Sequence, residues 1–368
     1  MLLLLIISGV FSALVCALLI RSGRRIARRY ALDMPQRFHA GHVPRLGGAA
    51  MMLSCTLGWL WMVVGERYFG AVNTINFPFL SALALWIVTM IAVVPGIAED
   101  VFHRLSPKWR LAASLAAGIA GAALLGLRIN SLDVGWIPPF WDWAPWIGIL
   151  LAVFAIAGLP HAFNLIDGYN GLASIVAIVC CLALAYVSLQ VGDRELAAVV
   201  LTLAGATAGF LVWNYPRGLI FAGDGGAYLW GVVIAVASIQ LVQRHPQVSP
   251  WFPMLLLIYP VWETLFSTYR KLVRGQSPGL ADALHFHQLI YRRIVRGVFH
   301  DDEARRMLMR NNRTSPYLWG FALLTVAPAM LFWQNTRILM AFCALFVVSY
   351  VYAYLTIVRF KVPRWLQR

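Results

Sequence analysis

Residues 163–171 read Phe163-Asn164-Leu165-Ile166-Asp167-Gly168-Tyr169-Asn170-Gly171, and an apolar run lies on each side, near 145–161 and 172–190. Runs of that length are what a helix needs to cross the roughly 30 Å hydrocarbon core of a bilayer. The stretch between them is therefore a polar corner joining two membrane spans. A carboxylate this close to hydrocarbon costs several kcal/mol, by order of magnitude, unless something pairs with it. The two glycines let the backbone turn tightly and come close to a ligand.

The rest of the chain has the same character. Its 368 residues are 61% hydrophobic and only 12% charged, with a mean hydropathy of +0.73. Soluble domains are about 25% charged. Counting apolar runs gives about eleven candidate spans, near 2–20, 47–65, 79–98, 111–127, 145–161, 172–190, 196–214, 225–242, 252–268, 317–334 and 338–356. Helices are the expected form, because backbone polar groups in lipid must satisfy one another. The expected fold is thus all-α and polytopic, one membrane-embedded domain over 1–368, with no repeat and no soluble domain. The first run lacks a basic segment before it and a small-residue cleavage site after it, so it reads as a span and not as a signal peptide. The five cysteines sit inside apolar runs without metal spacing.

Lys and Arg set the expected orientation. With the N-terminus outside and the C-terminus in the cytoplasm, all but five of the 30 basic residues (Arg67, Arg128, Arg194, Arg244 and Arg337) fall inside, a strong positive-inside bias. The net charge of +15 then reads as basic loops against anionic lipid, and not as a nucleic-acid surface. The same assignment gathers Glu99, Asp100, Asn164, Asp167, Asp224, Asp282, His285 and His287 at the cytoplasmic face.

Taken singly, each polar cluster has a plain reading and a functional one. Glu99-Asp100 ends a span before a basic loop holding Lys108 and Arg110. It is either a solvated helix end or a site for a hard cation that also meets phosphate, as Mg²⁺ does. Asn164 and Asp167 share a face of a helical turn; they either cap the next helix or hold a base, a sugar or a metal. Asp224, in Phe221-Ala222-Gly223-Asp224-Gly225-Gly226, is either an N-cap or part of an anion site at a glycine-rich helix start. Phe221 either packs or stacks on a planar base. Arg270, Arg274, His285 and His287 either touch lipid headgroups or bind a diphosphate; zinc would lack a third ligand at sensible spacing. On one face together, these groups are equipped for Mg²⁺-assisted chemistry on a diphosphate, with one substrate soluble and the other in the bilayer.

Five motifs occur in one order. They are Asp33-x-Pro35, Arg37-x-His39 and Gly47-Gly48; Glu99-Asp100 with Leu105-Ser106-Pro107-Lys108-Trp109-Arg110-Leu111; Asn164-x-x-Asp167-Gly168-x-x-Gly171-Leu172-Ala173; Phe221-x-Gly223-Asp224-Gly225-Gly226-Ala227; and Asp282-x-x-His285-x-His287. This order resembles the polyprenyl-phosphate N-acetylhexosamine-1-phosphate transferases, closely over about residues 1–310. These are bacterial inner-membrane enzymes whose active site faces the cytoplasm. They start peptidoglycan lipid, teichoic acid, common antigen and O-antigen (lipopolysaccharide) synthesis. The resemblance implies that a UDP-N-acetyl sugar gives its sugar-1-phosphate to undecaprenyl phosphate and UMP leaves.

It also implies roles. Asp100 would handle the lipid phosphate, as base or through the metal, beside Glu99. Asp224 would ligate Mg²⁺, with Mn²⁺ the alternative ion. Asn164 and Asp167 would hold the nucleotide or help place the metal, and Phe221 would stack on uracil. His285, His287, Arg270, Arg274 and Lys108 would bind the diphosphate. A homodimer is a further expectation, since members of the family dimerise. Two positions depart from the usual pattern: Glu99 stands where an Asp is usual, and Gln288 where many members have a third His. Gln288 and the Trp262-Glu263 pair incline the chain toward the O-antigen and teichoic branch. N-acetylglucosamine is the default sugar, with 6-deoxy-N-acetyl sugars the alternatives. A lipid or glycan transporter is the competing class; it would carry charges near the midplane, often in paired repeats.

Overall fold

The computed structural model describes residues 1–23, 43–69, 75, 77–135, 137–277, 284–295 and 297–359. Asp33, Pro35, Arg37 and His39 of the N-terminal loop, and Asp282 ahead of the histidines, lie outside these residues. Everything regular among the described residues is helical, with no strand. In chain order the helices are α1 (Leu2–Ser22), α2 (Gly47–Phe69), α3 (Phe79–Phe102), α4 (Pro107–Leu125), α5 (Phe140–Trp143), α6 (Pro145–Ile166) and α7 (Leu172–Gln190). They continue with α8 (Arg194–Asn214), α9 (Gly223–Arg244), α10 (Trp251–Leu256), α11 (Ile258–Val273), α12 (Phe286–Leu289), α13 (Glu303–Leu331) and α14 (Thr336–Val358).

Among the described residues, eight helices are long and apolar enough to cross a membrane: α1, α2 as far as Gly65, α3, α6, α7, α8, α9 and α14. The chain is a multi-pass membrane protein. The other three expected spans also form helices, with interruptions. The run near 111–127 becomes α4, whose first turn is taken by Lys108 and Arg110. The run near 252–268 breaks at Leu257 into α10 and α11. The run near 317–334 is the second half of α13, a helix that begins in the charged segment Glu303–Arg313.

Helix α9 is the axis of the bundle. It is apolar all round, and from Gly223 to Leu241 nearly every residue is buried, as a helix surrounded by other helices must be. It packs against α2, α3, α6, α7 and α8. The first helix is part of this assembly. It lies along α8, where Trp213 Nε1 donates to the Ala13 carbonyl and, from α2, Ser54 Oγ donates to the Ser8 carbonyl.

The Trp- and Pro-rich segment between α4 and α6 does not cross the bundle. Where α4 ends, the Gly126 carbonyl accepts from Gln243 Nε2 near the C-terminus of α9. Where α6 begins, the Gly148 carbonyl accepts from Ile129 N. Both ends of the segment therefore lie at the same end of the bundle. The polar corner at 163–171 lies at the other end, with the start of α9.

Candidate active site

The site is built on the N-terminus of α9. An α-helix leaves its first four N–H groups without partners inside the helix, and the residue before α9, Ala222, has no side chain to serve them. The cap comes from another helix. Asp100, near the end of α3, accepts from Asp224 N at 3.0 Å and from Gly225 N at 2.9 Å. This arrangement explains Gly223. Its φ is +71°, and a Cβ there would overlap the Asp100 carboxylate. Asp224 is consequently not the cap, and its side chain is free for other work.

That side chain collects partners from three further segments. Asn164 Nδ2 donates to Asp224 Oδ1 at 2.8 Å. Arg45 NH2 lies 3.2 Å from the same oxygen, while Arg45 Nε lies 3.2 Å from Asp100 Oδ1. Arg110, from the first turn of α4, pairs with Asp224 Oδ2. The Asp100 and Asp224 side chains are 1% and 5% exposed, and the two arginines 29% and 21%. The carboxylates are thus inside and the guanidiniums lie toward the opening.

Arg45 is brought there by backbone pairing. Phe221 N donates to the Pro44 carbonyl, Gly47 N to the Phe221 carbonyl and Gly48 N to the Ala222 carbonyl, each at 2.9 Å. These bonds clamp the chain before α2 to the chain before α9. Gly48 permits the approach, since a Cβ there would collide with Gly226 N.

Asp167 follows the last turn of α6, its N–H donating to the Phe163 carbonyl at 3.1 Å. It does not cap α7, whose N-cap is Gly171. Burial pushes its carboxyl up, Arg45 pulls it back, and the charges of Asp100 and Asp224 raise it further, to about 8. The corner itself is fixed from outside. Asn311 Oδ1 accepts from Asn170 N, Ser315 Oγ donates to the Asn170 carbonyl, Asn214 Oδ1 accepts from Gly171 N, and Trp319 Nε1 donates to the Gly171 carbonyl. Backbone groups in a buried turn need such partners, and here α8 and α13 supply them.

The two histidines reach this corner from the other side. His285 and His287 stack with rings 5.3 Å apart and 7° from parallel, and His287 meets Tyr169 edge-on. A Cβ on Gly168 would lie 3.7 Å from His287 Nε2. Behind the rings is Glu263 of α11, buried, with Oε1 3.5 Å from His285 Nδ1 and 3.9 Å from His287 Nδ1.

Of the residues expected from sequence, the structure brings together Asp100, Asn164, Asp167 and Asp224, with His287 alongside. Phe221 is half-buried at the clamp. Glu99 holds the turn after α3, where its Oε2 accepts from Leu105 N at 2.7 Å. Asp100 has a holding duty, since the amides of α9 and Arg45 engage its oxygens. Arg270 is buried; it donates to the Leu284 carbonyl and Tyr354 Oη, against α14. Lys108 and Arg274 are exposed. Arg45 and Glu263 were not expected as site residues, and Arg110 was placed only in the basic loop after Glu99-Asp100. Arg45 has a sequence signal, a charge two residues before a helix-starting glycine pair.

The donor set matches a hard divalent cation. Three carboxylates, Asp100, Asp167 and Asp224, face two guanidiniums, and the donors at Asp167 and Asp224 are all oxygens, as Mg²⁺ prefers. Among the described residues, no three His, Cys, Asp or Glu side chains form a ready cluster. An ion here would take its remaining ligands from water and substrate phosphate.

Known proteins are similar to this chain in sequence. The sequence profile of glycosyl transferase family 4 matches residues 82–242, which hold Glu99 to Asp224. The chain is 25% identical over 287 residues to the probable undecaprenyl-phosphate N-acetylglucosaminyl 1-phosphate transferase of Bacillus subtilis, covering 77% of this chain and 76% of that one. It is 26% identical over 265 residues to the undecaprenyl-phosphate alpha-N-acetylglucosaminyl 1-phosphate transferase of Thermotoga maritima, covering 72% and 74%. A phospho-N-acetylmuramoyl-pentapeptide-transferase of Streptococcus thermophilus is 27% identical over 279 residues, covering 69% and 76%. By its motifs, this profile and these relatives, the chain is similar to glycosyl transferase family 4 over residues 82–242.

Proposed function

We propose that this protein transfers a sugar-1-phosphate from a UDP-N-acetylhexosamine to undecaprenyl phosphate, releasing UMP and forming the polyprenyl-diphosphate sugar that starts a surface glycan. The observation that carries this reading is Asp224. Its buried carboxylate is met by Asn164, Arg45 and Arg110 and is held in place by Asp100. Those residues come from separate stretches of the chain, and the glycosyl transferase family 4 profile spans all of them but Arg45. N-acetylglucosamine is the donor sugar we favour, because two relatives carry it in their names. A glycan of the O-antigen, teichoic or common-antigen type is the proposed destination.

In the reaction, an oxygen of the acceptor phosphate attacks the sugar-linked phosphorus of the donor. The bond between that phosphorus and the bridging oxygen breaks, and UMP departs with the electron pair. Attack of one phosphate on another is a like-charge encounter, so fixed positive charge lowers the barrier. Arg45 and Arg110 supply it at the opening. A bound Mg²⁺, held by Asp224 and Asp167, would neutralise the diphosphate and the leaving group. Asp100 fixes the start of α9, and through Arg45 it is coupled to the acceptor phosphate. Phe221 offers a face to the uracil. His285 and His287 offer donors to the diphosphate, and Lys108 and Arg274 give the rim a positive charge. Arg270 supports the wall behind the histidines. The active site faces the cytoplasm, where UDP-sugars are made.

The test is formation of labelled lipid product. Purified protein with undecaprenyl phosphate, Mg²⁺ and a UDP-N-acetyl sugar labelled in the sugar should move label into the organic phase. Label that stays with the nucleotide, from folded protein, contradicts the assignment. Orientation is tested separately. A cysteine at Leu165 should be modified only from the cytoplasmic side, and modification from outside overturns the topology.

A further inference from the structure

We propose that Glu263 is a positioning residue that turns His285 and His287 into one phosphate-binding face aimed at the Asp167–Gly168 corner. The inference rests on the reading of the site as a diphosphate transferase. Glu263 lies in α11, in a stretch that reads from sequence as an apolar span, and is 1% exposed. A carboxylate in such surroundings costs several kcal/mol, by order of magnitude, unless hydrogen bonds and opposite charge meet it. Phe286 N donates to its Oε1 at 2.8 Å and Tyr350 Oη donates to its Oε2 at 2.6 Å. These bonds lock the carboxylate in one orientation, from α12 on one side and α14 on the other.

Oε1 is the atom that faces both imidazoles, at 3.5 Å from His285 Nδ1 and 3.9 Å from His287 Nδ1. A carboxylate facing both Nδ1 atoms favours one rotation of each ring and directs Nε2 to the opposite side, where a ring protonated on both nitrogens would donate Nε2–H to phosphate. The opposite side is the site. His287 Nε2 faces Gly168, the residue after Asp167, where the missing side chain leaves the approach open. The 7° angle between the rings fits two imidazoles oriented by one carboxylate. The ligand that matches this face is the diphosphate of the nucleotide donor.

The test uses the full-length enzyme and steady-state UMP release, with KM measured separately for donor and acceptor. UDP binding to the unreacted enzyme gives a second readout. Glu263→Gln keeps the size of the side chain and removes the charge. It should raise donor KM and UDP Kd about tenfold while kcat stays within about threefold and acceptor KM is unchanged. His287→Ala should weaken UDP binding by a similar factor. In the double variant the two effects should be clearly less than additive, because part of what Glu263 does is done through His287 and the rest through His285. Tyr350→Phe frees one oxygen of the carboxylate and leaves the charge, so it should raise donor KM about two- to fivefold; this milder variant carries the test if Glu263→Gln does not fold. A normal donor KM and UDP Kd, a loss confined to kcat or active fraction, or additive effects in the double variant would each overturn the inference. If the wild-type enzyme releases no UMP with any UDP-sugar yet binds UDP, the transferase reading fails and not the positioning of the histidines.

Discussion

The two ends of the bundle use the same residue types for different ends. At one end Asp193 precedes α8 and accepts from Leu196 N at 2.9 Å, an ordinary N-cap. It also meets Arg244 at 3.3 Å and His245 at 3.1 Å, and Glu195 meets the same Arg244. Arg244 is 37% exposed, and pairs of this kind contribute about 0–1 kcal/mol. At the other end Asp224 also opens a helix beside arginines, yet it caps nothing. Its helix is capped by Asp100 from α3, and the freed carboxylate is buried among Asn164, Arg45 and Arg110. An acid that serves its own helix needs no further explanation. An acid relieved of that duty by a residue 124 positions away in sequence points to a function.

Four substitutions sharpen or break this contrast. The largest effect is expected from Asp224→Asn. It removes the proposed cation ligand but keeps the shape and one acceptor, so UMP release should fall at least about 100-fold. Thermal unfolding in detergent should move by only a few degrees, on the order of a 1 kcal/mol change. Turnover near wild type would end the functional claim for this end. Second, Gly48→Ala places a methyl against the backbone of α9. It should destabilise the fold by about 1–3 kcal/mol, the usual range for overpacking, and thermal melting would register it. An unchanged melting temperature would mean that α2 and α9 do not meet as described.

Third, Asn311→Ala takes the acceptor from the buried Asn170 N. A buried donor left unsatisfied costs about 1–3 kcal/mol, and turnover should drop about tenfold as the 167–171 corner loosens. Hydrogen exchange at that corner, compared with wild type, reads the loosening directly. Smallest is Asp193→Asn at the opposite end. Asn also caps helices well, so stability should change by less than about 0.5 kcal/mol and activity not at all. A large loss of activity there would erase the distinction between the ends.

Much of this was legible in the sequence, and the reasons are local. Apolar runs mark the helices because each is set by its own composition. The acids at 100, 167 and 224 stand out because carboxylates and glycines beside long apolar runs are expensive. The break at Leu257 was not foreseen, although Pro253 and Pro260, which lack a backbone donor, flank it. Of the partners of the acids, Asn164 was legible and Arg45 was not. Arg45 meets Asp224 across 179 positions, and until that contact exists it reads as one more charge in a basic loop. Glu263 was missed for the converse reason. Its neighbours in sequence are apolar, and its hydrogen-bond partners are 23 and 87 positions away. The plain reading of Asp224 as an N-cap was equally sound on sequence, and only the position of Asp100 decides against it.

The most direct measurement is Mg²⁺-dependent UMP release by purified protein with undecaprenyl phosphate, across a panel of UDP-N-acetyl sugars. Wild type, Asp193→Asn and Asp224→Asn would be run in parallel, each with an EDTA control. Release with one preferred sugar, abolished by EDTA and by Asp224→Asn but kept by Asp193→Asn, is the predicted result. Release by Asp224→Asn at the wild-type rate, or none from folded wild type with any sugar, would contradict it.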